Sequence, residues 1–343
     1  MAPQMKKRPL IGLMLGDATG IGPEIVVKIL SKELANGDDA SPARLSVVGD
    51  ARALELGMHD AGIRLPYRVY TQLDQVPWPV DHIPMIDLAN LDPACLTRGE
   101  VCPESGRVCG ETLKHMIDLA RDRQLDGICF APLNKAALHS GGWNFSDEHQ
   151  MFAHLTSHVG FFGEMNVIPE FATFRVTSHV ALRDALHMIT REQIGHTLRL
   201  ADTTLRDMGH KCPRIGVAAL NPHCGENGLF GDEEITTIRP TVERLRAEGI
   251  NATGPISSDT IFIKAKAGEF DGVVMMYHDQ GQIATKLLGF NKGVTVTAGL
   301  KTVFTTPAHG TAFDIFGQGK ADPSALHQAV RLSATLAEAI SRR

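Results

Sequence analysis

An apolar run that ends abruptly in polar residues is the feature that most constrains the fold of this chain. Residues 272–276 read Gly-Val-Val-Met-Met, and residues 277–281 read Tyr-His-Asp-Gln-Gly. A continuous apolar run of this length predicts a strand buried on both faces, as in a parallel sheet covered by helices. Such a strand would deliver His278 and Asp279 to the carboxyl edge of the sheet, where α/β enzymes bind their ligands.

Two other apolar segments lead to a histidine in the same way. Residues 174–178 precede His179, and residues 215–222 precede His223. Three neutral imidazoles that leave coordination positions open form a typical catalytic site for a divalent metal ion. We therefore expect His179, His223 and His278 to bind one cation. Each of them keeps an alternative interpretation, because a lone histidine after a strand is more often a hydrogen-bonded loop residue.

Composition narrows the class of protein. Among 343 residues, 43% are hydrophobic and 21% are charged, which is typical of a globular protein. The net charge of −5, without a concentrated basic run after residue 8, argues against a nucleic acid or an anionic membrane as the partner. Six cysteines without a CxxC pair favour reduced thiols, and Cys129 is expected to pack as a small apolar residue. No apolar signal or membrane segment is evident, so we expect a cytoplasmic protein.

Predicted strands and helices alternate along the chain, which indicates an α/β fold. Residues 8–16 predict a strand, residues 16–23 a glycine-rich turn, and the following apolar stripe a helix. The glycines of this turn are not spaced as GxGxxG, so a Rossmann site is not expected, although amide groups at the helix start can bind an anion. The length of the chain favours two lobes. Residues 141–157 are expected to cross into the second lobe, and residues 294–297 to form the final strand.

Four segments resemble the signature segments of the 4-hydroxythreonine-4-phosphate dehydrogenase (PdxA) family, in the order and spacing of that family. They are residues 16–24 (GDATGIGPE), 220–223 (LNPH), 277–281 (YHDQG) and 309–314 (HGTAFD). The resemblance covers nearly the whole chain. It implies a two-lobed α/β/α fold of the isocitrate and isopropylmalate dehydrogenase kind, which is not a Rossmann fold, with the active site in the cleft between the lobes.

The division into lobes that the resemblance implies is discontinuous. Residues 1–141 and 299–343 would form the first α/β lobe, on the NAD side. Residues 142–298 would form the second, on the side of the metal and substrate. The family also implies a homodimer with the active site near the interface.

The resemblance implies a dehydrogenase that depends on NAD or NADP and on one divalent metal ion, which would be Zn or one of Co, Ni, Mn and Mg. It would oxidise a secondary alcohol of a small anionic hydroxy acid, and the family allows decarboxylation of the 3-keto acid product. A metal at the histidines would stabilise the alkoxide, and a nicotinamide is expected because no side chain accepts hydride. By the same resemblance His309, Gly310, Thr311 and Asp314 contact the NAD.

Two carboxylates and one lysine complete the predicted catalytic group. Asp279 follows a predicted ligand directly, and Asp259 precedes a predicted helix, so either is placed to orient an imidazole or to take the alcohol proton. A helix N-cap is the alternative interpretation of Asp259. Lys286 lies eight residues beyond His278, where the family's lysine binds the anionic end of the substrate.

Two departures from the family pattern concern substrate binding. Where the family usually has Gly-His-Thr-Glu, this chain has Glu148 in place of the histidine and His149 in place of the threonine. Where the family's phosphate-binding arginine follows an asparagine, this chain has Thr295 and Phe304. Because arginine is the preferred bidentate partner of phosphate, its loss favours a different substrate. We expect these four residues to contact it.

The sequence leaves three alternatives open, of which the first concerns the substrate and the other two concern the activity. One is a PdxA-like dehydrogenase of a non-phosphorylated substrate, such as a cis-dihydrodiol carboxylate. Another is a metal-dependent hydrolase, since three histidines and a neighbouring aspartate also activate water. The last is a non-catalytic module that binds a sugar acid or phosphate.

Overall fold

The computed structural model describes residues 8–37, 41–289 and 292–343. The strands in chain order are β1 (Leu10–Met14), β2 (Arg44–Gly49), β3 (Tyr67–Val69), β4 (Ile83–Asp87), β5 (Gly127–Phe130), β6 (Gly163–Val167), β7 (Ala172–Arg175), β8 (Ile215–Ala218), β9 (Ala252–Ile256), β10 (Gly272–Met275), β11 (Val294–Ala298) and β12 (Val303–Pro307). Strands and helices alternate along the chain, so the predicted α/β class is confirmed.

The helices in chain order are α1 (Gly22–Asn36), α2 (Ala51–Ala61), α3 (Pro103–Arg121), α4 (Lys135–Ser140), α5 (Glu148–Leu155), α6 (Leu182–Met188), α7 (Arg191–Asp207), α8 (Arg239–Ala247), α9 (Ser258–Lys266), α10 (His278–Gly289) and α11 (Ser324–Ser341). Shorter 3-10 segments lie at Leu73–Gln75, Pro93–Cys95 and Pro222–Gly228, and a π-helical turn lies at Glu234–Ile238. The chain forms two compact units: one extends to His158 and resumes at Leu300–Arg343, and the other is Val159–Gly299.

The first unit is built on a parallel sheet with the spatial strand order β3-β4-β2-β1-β5-β12. Its central strands are fully buried, as their apolar runs predict. Cys129 of β5 has no exposed surface, and burial raises the pKa of its thiol to about 12. The predicted packing of Cys129 as a small apolar residue is therefore confirmed.

The second unit is built on a mixed sheet with the spatial strand order β11-β6-β7-β10-β8-β9. Strand β6 runs antiparallel to both β11 and β7, whereas β7, β10, β8 and β9 are parallel. The three strands that were predicted to end in a histidine, β7, β10 and β8, are thus immediate neighbours. Their carboxyl ends meet at one edge of the sheet.

The first boundary between the units lies later in the chain than predicted. Residues 142–158 were expected to belong to the second lobe, but α5 packs within the first unit. The reason is its apolar face: Phe152 stacks on Phe304 with ring centroids 4.2 Å apart and meets the edge of Phe130 at 5.5 Å. The predicted final strand, at residues 294–297, is followed by another, β12.

Candidate active site

His179 and His278 come together at the carboxyl ends of adjacent strands. Their ring centroids lie 5.4 Å apart. Two imidazoles that share a tetrahedral Zn²⁺ through bonds of ~2.0–2.1 Å have ring centroids roughly 5 Å apart. Both rings are partly exposed and line a cavity of about 210 Å³, together with Tyr277, Asp279 and side chains between Thr177 and Ala185. The pair has the donor chemistry and spacing of two ligands to one cation.

Asp279 orients the ring of His278. Its Oδ1 lies 2.6 Å from Nδ1 of that ring, so Nδ1 is engaged and Nε2 is the nitrogen left for a metal. The arrangement follows from the sequence His-Asp at the start of α10, which places both side chains beside the end of β10. A carboxylate that holds a ligand imidazole in this way also raises its basicity.

His223 does not join the other two histidines. It is exposed, and it begins a run of residues with left-handed backbone angles, from φ 52° at His223 to φ 55° at Asn227. Among residues 8–37, 41–289 and 292–343, no group of three His, Cys, Asp or Glu side chains is placed to hold a metal ion. Within the described residues the structure therefore brings together two of the three predicted histidines, His179 and His278, and does not place His223 with them.

The loop that carries His223 is organised by a buried carboxylate. Glu234 has no exposed surface and accepts hydrogen bonds from the backbone N–H groups of Leu220 and Asn221 at 2.8 and 2.7 Å. Burial and the charge of Glu234, followed by that of Asp259, raise the pKa of the neighbouring Cys224 thiol. The negative charges of Glu234 and Asp259 are therefore both felt by the Cys224 thiol of the loop that carries His223.

Asp259 lies in the first turn of α9 and is exposed. The residue at the N-cap position is Ser257, two residues earlier. The alternative interpretation of Asp259 as the N-cap is therefore wrong. Lys286 lies in the last turn of α10 and is also exposed, eight residues along the same helix from His278.

Gln280, which the sequence analysis did not single out, ties the strand ends together. Its Oε1 accepts a hydrogen bond from the backbone N–H of Met276 at 2.6 Å. Its Nε2 donates to the carbonyl of Ala219 at 2.6 Å and to Oγ of Ser258 at 2.9 Å. One amide thus joins the ends of β10 and β8 to the start of α9. The position of Gln280 inside the YHDQG segment was the sequence feature that could have indicated this role.

A buried ion pair behind His179 was also missed. Arg175, at the end of β7, donates from Nη1 to Oε2 of Glu164 at 2.8 Å and from Nη2 to Oε1 at 2.9 Å. The same Oε2 lies 3.8 Å from Nε2 of His179. Arg175 also bonds to Asn166, whose Nδ2 donates to Oγ1 of the buried Thr295 at 2.9 Å. An arginine in an otherwise apolar strand was the signal that could have revealed this network.

Of the predicted substrate contacts in the first unit, Glu148 lies in an ion pair, whereas His149 and Phe304 are buried. Glu148 begins α5 and lies 3.6 Å from Nζ of Lys135, so its charge is compensated. His149 is buried, with its ring edge-on to Phe152. Phe304 has no exposed surface. The expectation that Phe304 contacts the substrate is therefore corrected: its ring belongs to the core of the first unit because α5 covers it.

The segment of residues 309–314 packs against the glycine-rich turn. The carbonyl of Thr311 accepts a hydrogen bond from the N–H of Ile21 at 3.0 Å. A Cβ at Gly20 would lie only 2.5 Å from that carbonyl oxygen, so glycine is required for this approach. His309, with Nδ1 3.0 Å from the Gly310 oxygen, and the exposed Asp314 stand at the surface of this loop. It consists of turns rather than a helix start.

Across the described ranges, no helix combines the length and the apolar character that crossing a bilayer requires.

Comparisons with known proteins agree with this architecture. Residues 41–333 match the family model described as "Pyridoxal phosphate biosynthetic protein PdxA". The D-threonate 4-phosphate dehydrogenase of Cupriavidus necator is 42% identical over 330 residues, which cover 96% of this chain and 97% of the relative. The crystal structure of 4-hydroxythreonine-4-phosphate dehydrogenase from Klebsiella pneumoniae is 37% identical with a TM-score of 0.81, and covers 96% of this chain and 99% of that one.

A terephthalate 1,2-cis-dihydrodiol dehydrogenase from Burkholderia xenovorans is a more distant structural relative. It is 27% identical with a TM-score of 0.66, over 95% of this chain and 98% of that one. The family model spans most of the sequence, and the relatives are matched over nearly their full length. This chain belongs to the PdxA family.

Proposed function

We propose that this protein is a nicotinamide-dependent, divalent-metal-dependent dehydrogenase that oxidises a secondary alcohol of a small phosphorylated hydroxy acid. The observation that carries the proposal is the His179–His278 pair, with ring centroids 5.4 Å apart and His278 oriented by Asp279. In a PdxA-family chain, this pair is the place where a substrate hydroxyl would meet a cation.

The side chains of the second unit divide the work. His179 and His278 would hold the metal, which supplies Lewis acidity to the bound hydroxyl. Asp279 keeps the His278 ring in the tautomer that leaves Nε2 for the cation. Lys286, on the same helix, provides an exposed positive charge for the anionic end of the substrate. Asp259 is the exposed carboxylate assigned to take the alcohol proton.

The first unit would hold the cofactor, NAD or NADP. The chemistry that it supplies is hydride acceptance, for which the protein has no side chain. His309, Gly310, Thr311 and Asp314 form the assigned contact surface. The close packing of Thr311 on Gly20 supports a loop that is shaped before the cofactor binds.

The substrate that we favour is D-threonate 4-phosphate. A relative whose name gives that substrate without qualification is 42% identical, and a relative at the same 42% identity is named "Putative 4-hydroxythreonine-4-phosphate dehydrogenase 2". The cis-dihydrodiol dehydrogenase is only 27% identical. The first two names share a four-carbon phosphorylated skeleton and differ in a hydroxyl or an amino group beside the carboxylate. Glu148 and His149 stay candidates for substrate recognition.

Steady-state kinetics with purified protein test the substrate. NADH or NADPH formation is measured with D-threonate 4-phosphate, 4-hydroxythreonine 4-phosphate and a cis-dihydrodiol carboxylate. We expect the highest kcat/KM with D-threonate 4-phosphate. A clear preference for the dihydrodiol would reject the phosphorylated class. If no substrate yields reduced nicotinamide and NAD does not raise the melting temperature, the dehydrogenase itself is rejected in favour of a hydrolase or a binding module.

We also propose that the protein is a homodimer and that His223 completes the metal site from the second copy. The support is apolar surface: several large hydrophobic side chains are exposed close in sequence to each of the three histidines. They are Val180, Leu182 and Leu186 after His179, Leu229 and Phe230 after His223, and Ile283 and Leu287 after His278. Exposed apolar side chains around a site mark a protein interface.

Mixing two inactive variants tests whether copies share the site. His223→Ala keeps the His179–His278 pair, and His278→Ala keeps His223. If the site is shared, subunit exchange between the two variants restores activity, because one site of the mixed dimer has all three histidines. If each site is built within one chain, the mixture stays as inactive as its components. Light scattering of the wild type measures the dimer independently.

A further inference from the structure

We infer that Glu164 is a positioning residue for His179 and that Arg175 holds Glu164 in that role. The inference rests on the proposed function, because its purpose is to prepare His179 for a metal ion. Three groups lie next to one another in sequence of contact: the Arg175 guanidinium binds the Glu164 carboxylate, and the carboxylate lies beside the His179 ring. The four signature segments do not predict these contacts, because Glu164 and Arg175 lie outside them.

The Glu164 carboxylate has little freedom to move. Both of its oxygens accept hydrogen bonds from Arg175, at 2.8 and 2.9 Å, which fixes the carboxylate plane. The fixed Oε2 is the atom that lies 3.8 Å from Nε2 of His179. The Arg175 and Glu164 side chains are only 2% and 11% exposed, so their charges are poorly screened by water.

Fold stability alone does not explain this ion pair. Burying two charges costs desolvation energy, and apolar residues of similar volume usually serve a core as well or better. The pair lies beside the site rather than at a random place in the sheet. A negative charge held there favours a cation next to His179 and restrains the ring, whose backbone has an unusual φ of 50°.

The same network reaches the helix that carries His278. Arg175 donates from Nη2 to Oε1 of Gln282 at 3.1 Å, and from Nη1 to Oγ of Ser178 at 3.1 Å. Gln282 lies on α10, four residues beyond His278, and Ser178 directly precedes His179. One buried guanidinium thus joins the two segments that supply the ligand pair, and it sets their relative position.

Zinc affinity of the metal-stripped protein, measured by calorimetry, tests the inference. Glu164→Gln keeps the size of the side chain but removes its charge, and we expect the Kd for Zn²⁺ to rise about 10- to 100-fold. The double variant Glu164→Met with Arg175→Met removes both charges without leaving either one buried alone. We expect it to fold and to show the same loss of zinc affinity.

Asp271→Asn is the matched control. It weakens another two-point pair with an arginine, since Asp271 accepts from Nη2 of Arg214 at 2.6 Å and from Nε at 3.2 Å. Asp271 directly precedes β10, at the end of that strand opposite to His278. We expect this variant to bind zinc as the wild type does, even though its fold is weakened.

The visible spectrum of the Co²⁺-loaded protein gives a second readout that a merely structural role would not change. A change of the cobalt bands in Glu164→Gln, but not in Asp271→Asn, supports the positioning role. Equal zinc affinity and identical cobalt bands in Glu164→Gln and wild type overturn the inference and leave the proposed function intact. Equal losses in Asp271→Asn overturn it as well. A wild type that binds neither metal rejects the proposed metal site and the inference together.

Discussion

Phe304 and Phe152 stack almost in parallel, with an interplanar angle of 7° and centroids 4.2 Å apart. Both side chains are fully buried. From the sequence, Phe304 stood where the family places an arginine, and a substrate contact was the natural hypothesis. The structure shows an aromatic core contact instead. At this position the phenylalanine packs beneath α5.

We predict that Phe304→Ala weakens the fold without changing substrate affinity. Truncating a buried phenylalanine leaves a cavity and costs about 3–5 kcal/mol of unfolding free energy. Urea unfolding measures the loss, and Val69→Ala, at an exposed position, is the control, with an expected change below about 0.5 kcal/mol. A large rise in KM for the substrate, with an unchanged free energy of unfolding, would return Phe304 to the substrate site.

The three histidines show which contacts could be predicted from the sequence and which could not. His179 and His278 could be predicted to meet, because they follow the ends of two adjacent parallel strands, β7 and β10, by four and three residues. His223 follows β8 by five residues and begins a left-handed run that no residue-type rule predicts at Cys224 or Glu226. Glu164 and Arg175 were not predictable as a pair, because they meet across two strands.

Among the elements, strands with continuous apolar runs were the predictable ones. Strands β7, β8 and β10 were located from such runs, and their adjacency explains why their carboxyl ends share one sheet edge. Strand β6, with the sequence Gly-Glu-Met-Asn-Val, has no such run, because Glu164 and Asn166 turn their polar groups toward Arg175. Tertiary partners, rather than local propensity, make that segment a strand.

The start of β10 gives a prediction about pH. Burial would raise the pKa of Asp271, but hydrogen bonds from Arg214 and the charge of His210 hold it below its ordinary value. A lowered folded pKa stabilises the protein above the unfolded pKa of about 3.9, and this contribution disappears as the pH falls through the folded value. Asp271→Asn should therefore cost about 1–3 kcal/mol at neutral pH and less at pH 3, which lies below the unfolded pKa of about 3.9. Equal costs in urea unfolding at both pH values would contradict this account.

The contact between the glycine-rich turn and the loop of residues 309–314 predicts a cofactor effect. In Gly20→Ala the new methyl group must displace Thr311, since its Cβ would lie 2.5 Å from the carbonyl oxygen. We expect the KM for NAD to rise roughly tenfold, a change of about 1.4 kcal/mol, with the KM for substrate unchanged. Gly195→Ala is the control, because only flexible arginine and leucine ends surround that helical position. Equal effects of both variants on the KM for NAD would remove the loop from the cofactor site.

For the whole molecule, the α/β class and the family followed from the sequence, but the boundary between the units did not. The segment of residues 142–158 contains glycine, polar residues and a short helix, so it reads as a crossing. Its placement in the first unit depends on Met151 and Phe152 being buried there, a contact with residues that are distant in sequence. The candidate metal pair, in contrast, lies wholly within the second unit.

NADH formation by metal-stripped protein, before and after addition of Zn²⁺ or Co²⁺, tests the central claim most directly. We predict that stripping abolishes the oxidation of D-threonate 4-phosphate by the wild type and that one of these ions restores it, whereas neither ion restores it in His278→Ala. Undiminished NADH formation by the stripped wild type, or by metal-loaded His278→Ala, would contradict the claim that the histidine pair holds the cation on which this oxidation depends.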